Sequence, residues 1–334
     1  MTLTVSQFDP ARDDAEWDEL CQRAPMATLL HTRRFLSYHG DRFEDQSRLV
    51  RDAAGKLIAA LPAARHAGQT GIVASHPGAT FGGLIHNGDL LGKDLLHVLA
   101  LIGKDFKASE FSALHYKAVP HIYHQWPSSD DLYALWRLGA TVQRCDLSST
   151  IDVSARRAPN ARRRRALRKA DAVNLHISND SENLAAFWSV LIETLGSRHG
   201  VAPVHTLSEM QRLMTRFPEQ MQLVTASIDG KVEAGVVLFL SARVSHAQYI
   251  ASSTSGREHN ALDAIFEHCI VAAQERACRY FDFGISTEDQ GRTLNTGLYQ
   301  YKSEFGGGGA THEHYYLALD DQFAEKCAQA GCLA

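Results

Sequence analysis

The sequence predicts an α/β protein built as two tandem domains. A chain of 334 residues is long for one hydrophobic core. Its two clearest hairpins, LVRDAAGKLIAALPA at 49–63 and LVTASIDGKVEAGVV at 223–237, can be laid over one another. Each is followed, past a Gly- or Ser-rich segment, by an amphipathic helix and then a strand, which reads as an internal repeat. Chance similarity between two hairpins is the competing reading.

The composition, 45% hydrophobic and 22% charged, is that of an ordinary globular chain. A net charge of −4 gives no general pull toward nucleic acid. The six cysteines, at 21, 145, 269, 278, 327 and 332, have no close paired spacing. They read as reduced thiols in a cytoplasmic protein, not as a disulfide frame or a zinc site. The N-terminus has neither a basic start nor an apolar run, so no signal peptide is expected. No stretch approaches a membrane span. One local exception hides in the mean charge. Between Arg156 and Lys169 lie eight basic residues and no acid, and without them the chain would net −12.

In order along the chain, Trp17 and Leu20 mark a first helix, and Phe35 and Leu36 a second that starts near Thr32. The first hairpin turns at Ala54–Gly55. Gly78, Gly82 and Gly83 are too close together for a helix interior. Leu91, Leu95, Val98, Leu99 and Ile102 then have the 3.6-residue period of a helix with one buried face. A strand at Phe111–Lys117 and a helix at Ser129–Leu138 complete the first half, which ends between Gly139 and Ser154. The second half repeats this order. Phe187, Trp188, Leu191 and Leu195 give a helix, and Thr206 with Glu209 forms a capping box for the next. The second hairpin turns at Asp229–Gly230, and VSHAQYIAS is its third strand. Leu262, Ile265, Phe266, Cys269, Ile270 and Ala273 share a helical face, and Cys278–Gly284 is the strand after it.

The chemistry concentrates in Cys278–Ala310. Phe281 and Phe283 point to one face of a strand, with Asp282 on the other. A carboxylate there is either paired or open to a cleft, because burying it alone is expensive; capping the following loop is its structural alternative. His246 lies mid-strand in VSHAQYI, and strict alternation places Tyr249 on the opposite face. The junction SGREHNA at 255–261 precedes a helix, where free backbone N–H groups suit phosphate, and Arg257 adds a charge-assisted donor. Loops of this composition also precede helices without binding anything. Asn295 and Lys302 fit the edge of a polar ligand or, equally, a solvated helix. No serine has an elbow context, Cys278 has no evident basic partner, and no histidine pair has metallopeptidase spacing. No metal is therefore assigned. The arginine run, as a helix packed through Ala161 and Leu167, would meet a pyrophosphate, an RNA backbone or an anionic membrane, or remain a solvated interdomain helix.

Gly235 in AGVVLF, the strand VSHAQYIAS, Ala261-Leu262-Asp263, the strand YFDFGIST and the closing LNTGLYQYKSEFGG together resemble the acyltransferase half of the Fem-type (FemAB-like) branch of the GNAT superfamily. SHPGATFGG and HYKAVPHIYH resemble its N-terminal half, so the resemblance spans roughly residues 25–318. It implies an α/β fold of tandem GNAT-like domains, each a mixed twisted sheet flanked by helices. The expected partition is an N-terminal domain at 1–150, a basic interdomain segment at 151–180 and a C-terminal acyltransferase domain at 181–334. The implied activity is direct transfer of an acyl group from a thioester to the amine of a nucleotide-linked or polysaccharide amino sugar. Coenzyme A thioester, or an acyl carrier, is the co-substrate, and no tightly bound cofactor is expected. Its phosphates would meet Arg257, Glu258, His259, Asn260 and Ala261, although Glu258 and Asn260 interrupt the glycine pattern usual at that loop. His246 is the first candidate base, with Asp282 or Glu288 acting through water or orienting the amine. Tyr249, Asn295 and Lys302, with His31, His76, Tyr116 and Lys117 from the first half, are the candidate substrate contacts. Some relatives of this type take the acyl group from aminoacyl-tRNA to modify a cell-wall precursor, and the arginine run keeps that donor open. A non-enzymatic polysaccharide- or protein-binding module is the remaining alternative. The expected location is the cytoplasm, with peripheral attachment to the inner face of the membrane left open.

Overall fold

The computed structural model describes residues 2–332, which form two mixed α/β units of the tandem kind expected. The units are not consecutive in sequence. The first takes residues 1–146, 290–292 and 311–334, and the second takes 147–289 and 293–310. The linear partition at 150 and 180 differs from this division: the basic segment lies inside the second unit, and the C-terminal segment returns to the first.

In the first unit, Asp9 caps the helix Pro10–Arg23, whose first position holds a proline, as helix starts favour. The strands Thr4–Gln7, Arg48–Arg51, Leu57–Leu61 and Ile85–His86 make an antiparallel sheet. A second set pairs Ala64–Arg65, Ile72–Ala74 and Ala113–Lys117 with residues 314–318 of the final strand. Among the described pairings of this unit, Ile72–Ala74 with Ala113–Lys117 is the parallel one. The helix Lys93–Ala108 buries Leu95, Val98, Leu99 and Ile102 in the core. Leu91, assigned to that face by its spacing, precedes the helix and is exposed.

In the second unit the strands run in the order 147–152 (the inner half of Thr141–Asp152), Tyr280–Ile285, Val244–Ser252, Lys231–Leu240, Met221–Ile228 and Leu175–Ser178. Again one pair is parallel, Val244–Ser252 with Tyr280–Ile285. The hairpin turn at Asp229–Gly230 has φ of 49° and 79°, the sign its two-residue type requires. Helix Ala261–Glu275 covers one face through Ile265, Phe266, Cys269 and Ile270. Its Phe266 ring meets Phe283 edge-on at 4.9 Å, and Phe305 at 5.6 Å. Helix Leu184–His199 covers the other. There Gly235 is obligatory, since a Cβ would lie 2.4 Å from the Phe187 ring. Each unit thus repeats hairpin, strand, helix and a strand parallel to the first.

The arginine run forms the helix Ala161–Asp171, capped by Asn160. Ala161 is exposed and Leu167 only half-buried, so neither anchors it as the sequence suggests. The anchor is Arg163. Its guanidinium is buried against Asp263 and Glu304, the latter at 3.0 Å, and lies over the rings of Tyr301 and Phe305. Two carboxylates sharing one buried cation leave a residual negative charge if the cation is removed. Arg163→Ala is therefore expected to lower stability by about 3–5 kcal/mol in urea unfolding. The exposed Arg165→Ala should stay within about 0.5 kcal/mol of the parent.

Candidate functional site

The site forms where two strands part. Val244–His246 pairs with Tyr280–Asp282, and His246–Asp282 is the last pair of that ladder. Beyond it, Val244–Ser252 stays with its other neighbour while Tyr280–Ile285 turns at Gly284, φ +78°. Two local irregularities cause the divergence. Gln248 is an extra residue opposite the step from Val237 to Leu238, a bulge that bends its strand. The register of the neighbouring strand shifts between Asp282 and Ile285.

Asp282 is fully buried. Its Oδ1 accepts from the hydroxyls of Ser148 and Thr150, the latter at 2.9 Å, and its Oδ2 lies 2.7 Å from His246 Nδ1. Thr150 stands directly across from Asp282 in the ladder, and Ser148 is two residues further. The alternation of one strand therefore places both hydroxyls beside the carboxylate. The carboxylate is paired, as its position in an apolar strand demands. With Asp282 at Nδ1, the lone pair of a neutral imidazole would fall on Nε2. Lys302 closes the back of the site, with Nζ donating to the carbonyls of Gly284 and Ile285 at 2.8 and 2.7 Å. Burial brings its pKa down to about 8, although Asp282 pulls the other way.

The bulge overturns the strict alternation assumed for Tyr249. His246 faces Phe239, Ala247 faces Leu238, but Tyr249 faces Val237, so skipping Gln248 returns Tyr249 to the face of His246. Its hydroxyl meets His205 Nδ1 at 2.5 Å, its ring packs on Trp188 at 5.2 Å, and burial raises its pKa to about 12.

Beside the parted strands lies a cavity of about 670 Å³. Leu195, Ile250, Leu262, Phe266 and Leu298 supply its apolar walls, while Arg162, Arg165, Lys169 and Arg257 lie on its basic side. The junction before helix Ala261–Glu275 is not the open loop the sequence suggests. Thr254–Glu258 is a helical turn capped by Ser253, which occupies the N–H of Gly256. Arg257 and His259 likewise give their N–H groups to Ser253 and Ser255 carbonyls. Asn260 then takes a left-handed φ of 56°, and its carbonyl accepts from Asp263 and Ala264. The orphan donors at this helix start are those of Ala261 and Leu262. Arg257 lines the cavity with its guanidinium held by the Ser252 carbonyl and the Thr254 hydroxyl. Glu258 is exposed and does not line the cavity.

Glu288 and Asn295 are bonded to one another at 2.7 Å on an exposed hairpin, and Asn295 caps helix Thr296–Ser303. Neither touches the His246–Asp282 pair. In the first unit, His31 is wholly buried, bonded to the Gly82 carbonyl and the Thr28 amide, and burial lowers its pKa to about 4. Tyr116 is equally enclosed, donating to Asp131 and accepting from the Leu84 N–H. Both are enclosed by the fold, with their polar atoms taken up by protein partners, so the structure places them as packing residues. His76 is buried against His39 and Phe43. Lys117 is bonded to the carbonyls of His76 and Ala79. Sequence reasoning misses Ser148 and Thr150 altogether, and it places Gln248 on the face of His246 without giving it a role. The polar run SST at 148–150 inside a long strand is the signal that was available.

Residues 154–303 match the acetyltransferase (GNAT) domain family. The structure is similar to the crystal structure of FemX, with TM-score 0.70 and 12% identity over 98% of this chain and 100% of that one. It is also similar to L-PGS from Bacillus licheniformis, with TM-score 0.59 and 12% identity over 98% of each chain. A tandem GNAT protein from the clavulanic acid biosynthesis pathway gives 0.52 at 11% identity, over 96% and 99%. No curated protein matches the chain in sequence. The match marks the second unit as carrying a domain of the GNAT superfamily, a superfamily of N-acyltransferases. Within it, the chain has the tandem fold of the Fem-like branch.

The depressed Lys302 pKa yields a linkage prediction. Between about 8 and the 10.5 of the ordinary amine, the folded chain binds fewer protons there than the unfolded chain. Its contribution to stability therefore rises with pH across that window. Relative to Lys302→Met, the parent should gain about 2 kcal/mol between pH 7 and pH 9.5 in urea unfolding. A difference that is flat with pH would refute the assignment.

Proposed function

We propose that the second unit transfers an acyl group from an acyl thioester, coenzyme A first among them, to the amine of a nucleotide-linked or polysaccharide amino sugar. The observation that carries this reading is the parting of the strands immediately past His246–Asp282, beside a cavity with apolar walls and a basic side. Such a cavity matches a donor that has a slender amide-and-alkyl arm at one end and several phosphates at the other. Arg162, Arg165, Lys169 and Arg257 meet the phosphates, and the head of helix Ala261–Glu275 adds its orphan N–H groups.

The acceptor nitrogen must be uncharged to attack. His246 Nε2 takes its proton, and Asp282, locked by two hydroxyls, holds the ring and stabilises the imidazolium. The nitrogen lone pair forms the C–N bond, and the tetrahedral intermediate collapses by breaking the C–S bond, releasing the thiolate. The bulge leaves the Gln248 backbone outside the ladder, and its N–H is the donor assigned to the oxyanion. Holding both substrates in line supplies much of the remaining rate. Tyr249, Asn295 and Lys302 border the acceptor side, with Lys302 acting through the backbone of the Gly284 turn.

A second reading, an aminoacyl-tRNA donor and a cell-wall precursor as acceptor, draws on the exposed arginines of helix Ala161–Asp171. The two separate by experiment. Purified protein is incubated with short acyl-coenzyme A thioesters and amino-sugar nucleotides, and products are read by mass. An amide product is expected, with kcat for His246→Ala lower by about 10²–10⁴-fold and KM little changed. Unchanged kcat in His246→Ala across pH would remove the base assignment. Turnover only with charged tRNA, lost on neutralising Arg162, Arg165, Arg168 and Lys169, would favour the second reading instead.

A further inference from the structure

The first unit holds a cavity of about 520 Å³ that acyl transfer does not use. His66, His115, His314, Lys117, Arg144 and Arg292 line it, together with three glutamines, and no carboxylate is among the lining residues. It stands at the first unit's counterpart of the parted strands, where Ala74–His115 is the last parallel pair. In the second unit that register position carries Asp282; here it carries a histidine.

The donors converge with little to receive them. The His115 and His314 rings are 5.3 Å apart, and His314 Nδ1 is buried without a hydrogen-bond partner among the described residues. Arg144 is paired with Asp146 through Nε at 2.6 Å, which leaves its terminal nitrogens. Lys117 bonds to carbonyls and to no carboxylate among the described residues. Arg292 is exposed and sits on a turn in which Asp289 and Gln290 both take positive φ, 46° and 53°. A Cβ on Gly291 would lie 2.3 Å from the Cys145 carbonyl oxygen. Strain of this kind persists only where the surroundings impose it, and it clusters at ligand sites. Burial first, and then the neighbouring cations, bring His115 down to about 4 and His314 to about 3. The same cations oppose a metal ion and favour an anion.

We infer that this cavity binds a phosphate group, received by Arg292, the terminal nitrogens of Arg144, Lys117 and the facing histidines. A doubly charged oxyanion with several acceptor oxygens matches this many donors better than a single carboxylate does. The inference does not depend on the acyl-transfer reading. The test is calorimetric titration of the full chain with inorganic pyrophosphate at low salt. Arg12→Ala, an exposed arginine that lines neither cavity, should bind like the parent. Arg292→Ala and His115→Gln should each weaken binding ten-fold or more. Arg292 is exposed, so an unchanged Tm is expected and separates lost binding from lost folding. Glucosamine 6-phosphate and uridine diphosphate, titrated in parallel, distinguish a phosphorylated sugar from a nucleotide as the source. No pyrophosphate binding by the parent overturns the inference. So does binding untouched by Arg292→Ala and His115→Gln but lost in Arg257→Ala.

Discussion

A single buried carboxylate sets the geometry of the second unit. Asp282 has no exposure to water, and an isolated carboxylate in such a place would neutralise or force the structure open. It is tolerated because polar partners converge on it, among them two hydroxyls from one neighbouring strand and an imidazole from the other. Hydrogen bonds to a charged acceptor contribute about 1.5–3 kcal/mol each. Together they fix the registers of three strands at one level. Directly past that level the parallel ladder stops, so the residue that organises the sheet also marks where the sheet opens.

The second constraint is electrostatic and lies on the far side of the helix Ala261–Glu275. Arg163 turns what reads as a solvated basic helix into a wall. Its guanidinium is clamped between Asp263 and Glu304, while its neighbours at 162 and 165 stay exposed. A second clamp, Arg156 on Glu267 at 2.7 and 2.8 Å, ties the approach to this helix to the same partner. The uniform charge of the run thus conceals two kinds of arginine. One kind holds structure and the other faces the cavity.

Much of this was legible in the sequence. Periodicity located the helix Ala261–Glu275 and both hairpins, and the Thr206–Glu209 capping box is present with both of its bonds. For Asp282 the sequence leaves pairing, a cleft or a loop cap open, and the structure shows it paired. What escaped were features with no periodic signature. The strand Thr141–Asp152 was taken for a boundary because its outer half is polar and exposed, yet its inner half supplies Ser148 and Thr150. The bulge at Gln248 depends on register with another strand, which no local pattern encodes, and it reversed the facing of Tyr249. His31 and Tyr116 look reactive by residue type, but only burial shows that their polar atoms are consumed within the fold.

The interleaving of the two units bears on how the protein is made. Leu317, Leu319, Phe323 and Cys327 lie in the core of the first unit, where Phe323 packs so closely on Gly103 that a Cβ there would come within 2.4 Å of the ring. A ribosome emits those side chains after the whole of the second unit. The N-terminal half must wait, with part of its apolar interior uncovered, while the other half is synthesised. Nascent chains of this architecture depend on whatever shields that surface in the interval, and a stall near residue 310 would leave it open.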